Sequence, residues 1–162
     1  MKSLLTGLFL LVSVITFGQK YGHCDVAVVA ADLPEVATIQ SQLETKAAEL
    51  EGRLTKMYEI YQGKITEFQA NVATMSADEQ QSNAEEIQNL EVRIQEAQQN
   101  SQAELMQLEN DLKQPLFEKV RKAIEDVSVE NGYTLIFDTS SGAVLYAGGD
   151  DVNDLVKSKL GL

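Results

Sequence analysis

Two series of apolar side chains, each stepping by three or four residues and parted by one short break, restrict this chain more than any other feature. The first runs Val36, Ile39, Leu43, Ala47, Leu50, Leu54, Met57, Tyr61, Ile65, Phe68, Val72 and Met75. Its eleven steps cover 39 residues, a mean of about 3.5, which is the repeat of a coiled coil rather than the broader stripe of a globular helix. The second runs Ile87, Leu90, Ile94, Ala97, Ser101, Leu105, Leu108, Leu112, Leu116, Val120, Ile124 and Val127, with a soft polar patch from Gln98 to Gln102. Between them Ser76 and Glu79 form an S-x-x-E capping box that starts a new helix. Two helices of roughly 60 Å each at 1.5 Å per residue, joined by a tip near 74–78, predict an antiparallel hairpin over 35–114. Pro115 removes a backbone donor and predicts a kink, so that arm and base can point differently.

The flanks read as a small β body. VAVVAA at 26–31 is short, apolar and rich in β-branched residues, which predicts a strand within 19–34. Asp32 is a plausible N-cap ahead of Pro34, with Glu35 at the third helical position. Asn131-Gly132 ends the second helix. Tyr133–Phe137 and Ala143–Tyr146 then predict two strands joined through the hairpin chemistry of Asp138-Thr139-Ser140-Ser141-Gly142. Asp151 and Asp154 open a terminal helix with apolar Val152, Leu155, Val156 and Leu160, and Lys157 and Lys159 near its negative end. The fold class is thus α+β, mostly α: a long helical hairpin, and a body made of 19–34 together with the kinked helix base, strands and terminal helix of 115–162. Three short strands and one small helix cannot cover both faces of a sheet, so strands from several copies would complete it.

Residues 1–18 carry Lys2, a charge-free apolar run from Leu4 to Phe17, and small Thr16 and Gly18 before Gln19. That pattern predicts a cleavable secretory signal and an exported chain with no integral membrane segment once it is cut. The net charge of −12 argues against nucleic acid, whose binding rests on Lys and Arg. One Cys and one His exclude an internal disulfide and a His/Cys zinc cage. His23 and Cys24 are neighbours and would face opposite sides of a strand, which makes no nucleophile–base pair. No nucleotide or hydrolase fingerprint is present, and neither an enzyme, a cofactor nor a metal is expected.

The order of signal, strand and helical hairpin with a T-M-S-A-D-E tip resembles the Skp/OmpH family of periplasmic chaperones. So do the segments K-Q-P-L-F-E-K-V-R-K-A-I, E-N-G-Y-T-L-I-F-D and A-V-L-Y-A. The carboxy-terminal stretch is the specific part; the arms would match many coiled coils. The resemblance implies a homotrimer in which a β body holds three helical arms around a cavity. Unfolded outer-membrane proteins would be held there in the periplasm, without ATP, before membrane insertion. The arms differ from those of the family's best-known member, which is basic, since residues 35–113 hold 15 acidic and 6 basic side chains, a net 6 − 15 = −9.

Candidate contact residues follow. Tyr58, Ile60, Val92 and Met106 are apolar but off the seams, and with Tyr61 they are candidates for client contact. Met57, Phe68 and Met75 belong to the seam. Val26, Val28, Leu135, Phe137, Val144 and Tyr146 are candidates for the shared body. A structural coiled-coil scaffold of the envelope, binding one folded partner, would have the same rod.

Overall fold

The computed structural model describes residues 19–162, so the signal-peptide expectation lies outside the described residues. The elements are β1 (Lys20–Cys24), α1 (Val26–Ala31), α2 (Glu35–Asn71), α3 (Ala77–Asn131), β2 (Tyr133–Asp138), β3 (Asp150–Asp151) and α4 (Asn153–Leu160). The described residues divide into two compact units, 30–119 and 19–29 together with 120–162.

The first unit contains α2 and most of α3. Each α2 seam position is buried or half-buried except Ala47, beside which the stem of Lys46 takes the inward place. The α3 seam positions from Ile87 to Leu116 are likewise covered, and Leu50 of α2 and Ile94 and Leu116 of α3 are almost wholly buried. Ser101 sits in the seam without an unpaired hydroxyl, because its Oγ donates to the Ala97 carbonyl at 2.6 Å. The tip has the expected reciprocal cap. Ser76 N–H donates to Glu79 Oε2 at 2.8 Å, and Glu79 N–H reaches back to Ser76 Oγ at 3.4 Å. The start of α2 differs from expectation: Pro34 occupies the cap position without a side-chain bond, and Val36 N–H donates to the Leu33 carbonyl instead. Pro115 lies inside α3, which remains one helix across it.

The second unit holds a three-stranded sheet of order β2-β1-β3, both pairings parallel. Two expectations fail here. VAVVAA is a helix, because Asp25 caps it: Asp25 Oδ1 accepts the Val28 N–H at 3.0 Å, and the Asp25 carbonyl accepts that of Val29. The amino-terminal strand is KYGHC instead, one step earlier. Val26 and Val28 therefore belong to no strand; Val28 is largely exposed, while Val29 and Ala30 are buried.

Ala143–Tyr146 is likewise not a strand. The turn chemistry before it is as read, with Asp138 Oδ1 accepting the Ser140 N–H at 2.8 Å and Gly142 at φ 70°. The chain does not return along β2, however, and Asp150–Asp151 pairs with the far side of β1 instead. Gly149 permits that approach, since a Cβ there would lie 2.5 Å from the Tyr21 carbonyl oxygen. Asn131-Gly132 does end α3, with Gly132 at φ 71°. The cap position of α4 falls one residue after Asp151. Val152 is its cap residue without a side-chain bond, although Asp151 Oδ1 accepts the Asn153 N–H at 2.9 Å.

Candidate interaction surfaces

A complete seam leaves the remaining apolar groups of the hairpin without a partner inside it. Ile60 is 55% exposed, Val92 47% and Met106 65%. At 3.6 residues per turn, Tyr58 and Ile60 stand on opposite flanks of the α2 seam, and Val92 and Met106 lie on the outer side of α3. The four off-seam residues therefore do not converge. What the fold brings together is Tyr58 and Tyr61, one helical turn apart, which line a recess of about 230 Å³ with Glu91, Ile94, Gln95 and Gln98 of α3. Tyr58 Oη accepts a hydrogen bond from Gln98 Nε2 at 2.8 Å, and this fixes the ring while leaving it 42% exposed. Sequence reasoning counted both tyrosines but missed Glu91, Gln95 and Gln98. The missing signal was the pairing of the helices, which follows once the tip at 74–78 is folded back.

Ion pairs cross the same hairpin. Lys46 Nζ lies 2.7 Å from Glu104, Lys64 Nζ 2.9 Å from Glu86, and Lys119 Nζ 2.5 Å from Glu35. The hydrogen bond from Lys46 lowers the Glu104 pKa, and that from Lys119 lowers Glu35. The bond to Glu104, with a second to Glu49, raises Lys46.

In the other unit the exposed apolar groups gather around β2 and the segment that follows it. Leu135 and Phe137 share one face of β2 at alternate positions and are 52% and 47% exposed. Leu145 and Tyr146 are almost bare, at 98% and 87%, whereas Val144 is half-buried. A recess of about 900 Å³ lies among Gln19, Tyr21, Phe137 and the 143–150 segment. Because β2 ends the order β2-β1-β3, no strand pairs with its outer edge among the described residues. On the inner side, Tyr133 is buried, donates its hydroxyl proton to Asp150 Oδ2 at 3.0 Å, and carries Lys20 Nζ 4.0 Å over its ring.

Cys24 ends β1 and is fully buried. Burial, and after it Asp138, Asp151 and Asp25, push the thiol up to about 11, so it stays protonated and unreactive at neutral pH. His23 beside it is half-buried, in register with Phe137 and Asp151. Among the described residues no group of three or more His, Cys, Asp or Glu could hold a metal ion, and no helix is long and apolar enough to cross a membrane.

Comparison with known proteins agrees with this arrangement. No curated protein matches the chain. A solved structure of a candidate outer membrane chaperone (OmpH-like) from Caulobacter crescentus CB15 superposes with a TM-score of 0.72 at 15% identity, over 88% of this chain and 83% of that one. At that identity the likeness establishes the fold: a mostly helical α+β chain with long helices and a small sheet. The family model described as Outer membrane protein (OmpH-like) matches residues 20–160, nearly the whole described chain, and the protein accordingly belongs to the OmpH-like family.

Proposed function

We propose that this chain is an ATP-independent holding chaperone of the periplasm, which assembles as a homotrimer and encloses unfolded outer-membrane proteins between its helical hairpins. The observation that carries the reading is apolar surface left over on a hairpin whose own seam is already filled: Ile60, Val92 and Met106. Family membership and the likeness to a candidate chaperone support it. Unfolded barrel precursors expose alternating apolar side chains and aggregate as their concentration rises. Scattered, weak contacts suit such clients. Because Tyr58, Ile60, Val92 and Met106 face different directions, no single client conformation is demanded, and many poor contacts sum by multivalency. The reading needs no catalytic group, no cofactor and no nucleotide.

Assembly follows from the body. The outer edge of β2 and the uncovered Leu135, Phe137, Leu145 and Tyr146 would be buried between copies. The decisive experiment is native mass spectrometry of residues 19–162, with and without a urea-denatured barrel protein. Three copies holding one client, together with suppressed aggregation, are expected. A monomer, or an assembly that leaves aggregation unchanged, would overturn the reading in favour of an envelope scaffold. Replacing Tyr58, Ile60 and Met106 together with Ser should weaken capture and leave the number of subunits unchanged.

A further inference from the structure

The Tyr58–Tyr61 recess has a chemistry of its own. Its walls are two phenol rings, one carboxylate (Glu91), two side-chain amides (Gln95 and Gln98) and the aliphatic floor of Ile94. At about 230 Å³ it is smaller than a small-molecule pocket, and its size suits one long side chain. Glu86 and Glu104 on the same helix are matched by Lys64 and Lys46, whereas Glu91 forms no ion pair among the described residues. Aromatic faces attract cations through their quadrupole, and an unmatched carboxylate beside them adds the opposite charge. The other unit already contains this trio in closed form: Lys20 Nζ sits 4.0 Å over the Tyr133 ring and 3.7 Å from Asp150. The hairpin has the ring and the carboxylate but not the cation.

We propose that this recess takes an arginine or lysine side chain of an unfolded client. The cationic head lies against Glu91 and the Tyr58 ring, the amide oxygens of Gln95 and Gln98 accept from its N–H groups, and its aliphatic stem lies on Ile94. The inference rests on the client-holding reading and narrows it: the arm selects segments that interleave apolar with basic residues. The surplus of carboxylates along 35–113, net −9, draws such segments towards the hairpin, and the recess gives them a place to dock.

The test uses the mature chain and two labelled unfolded peptides of equal length and apolar content, one carrying Arg and the other Gln at the same positions. Fluorescence anisotropy at low salt should show the Arg peptide binding roughly five-fold tighter, the size of one exposed cation–π contact with one rim ion pair. Glu91→Gln and Tyr58→Leu should each remove most of that preference. Glu96→Gln, an equal charge change outside the recess, should leave it in place. Equal losses from Glu91→Gln and Glu96→Gln would overturn the site in favour of a diffuse field, as would the absence of any Arg preference in the unaltered protein. Suppression of barrel-protein aggregation, assayed in parallel, separates the two claims. If suppression persists without Arg preference, the recess falls alone; if Glu91-dependent preference persists without suppression, the chaperone reading falls and the recess stands.

Discussion

Single residues decide where elements begin, and Asp25 is the clearest case. VAVVAA has the composition of a strand, yet one carboxylate placed three residues before Val28 turns it into the first turn of a helix. Asp25→Ala should destabilise the body by about 1 kcal/mol, the ordinary value of such a cap, measurable as a lower denaturation midpoint. β-branched composition alone points to a strand at 26–31, and the carboxylate cap ahead of it decides for the helix. Ser76 shows the opposite outcome: the capping box was legible because both partners lie within four residues. Cys24 makes a prediction about pH. Its folded thiol titrates at about 11 against an ordinary 9.0, so above pH 9 the unfolded chain loses a proton that the folded chain retains. The contribution of this thiol to stability should therefore be constant at neutral pH and fall as pH rises from 9 towards 11, by roughly 2 kcal/mol. Thermal melts across that range would check it, and a flat profile would contradict the burial. Iodoacetamide should correspondingly label Cys24 quickly in denaturant and hardly at all in the native protein.

At the scale of elements, legibility followed the range of the interactions. The seams of α2 and α3 were readable to the residue because a coiled coil repeats its demand every turn, so one misplacement such as Ala47 for Lys46 does not shift the register. The strands were not readable, since a strand exists by its ladder and the partners of β1 lie more than a hundred residues away in sequence. Two glycines within α2 offer a direct test of the hairpin. A Cβ at Gly52 or Gly63 would meet nothing within 4 Å, so neither glycine is required by packing or by a positive φ. Each weakens the helix by about 0.5–1 kcal/mol relative to alanine. Gly52→Ala and Gly63→Ala should therefore each raise the melting temperature, and slower hydrogen exchange along 50–65 would locate the gain in α2. Acid should act in the other direction. Glu35 and Glu104 have pKa values lowered by Lys119 and Lys46, so the stabilisation they give is present above the unfolded carboxylate pKa and is lost as pH falls through the lowered folded value. Loss of helical ellipticity should begin below about pH 4.5, and this acid dependence should weaken in Lys46→Gln and Lys119→Gln, which no longer hold Glu104 and Glu35 below the ordinary carboxylate range; an unchanged acid profile would mean that these exposed pairs carry no net stability.

For the molecule as a whole, the question is whether one chain can be a complete object. The hairpin can, because its seam closes upon itself. The sheet is less closed: among the described residues β2 pairs with a strand on one side only, and the segment after it carries Leu145 and Tyr146 almost entirely in water. AVLYA has strand composition and no strand partner among the described residues, and the proposed assembly would supply its ladder from another copy. Exposure turns this into a sharp prediction. In an isolated chain, replacing a side chain as bare as Tyr146 should alter stability by no more than about 0.5 kcal/mol, whereas burying a new carboxylate between copies is heavily penalised. Tyr146→Asp should consequently split the assembly into smaller species on sedimentation, and Phe137→Asp should do the same from the adjacent face of β2. Helical ellipticity, dominated by the hairpin, should change little. If Tyr146→Asp leaves the sedimentation coefficient unchanged, the segment is not shared between copies. If the unaltered chain itself sediments as a monomer, the exposed edge is native and the shared β body must be abandoned.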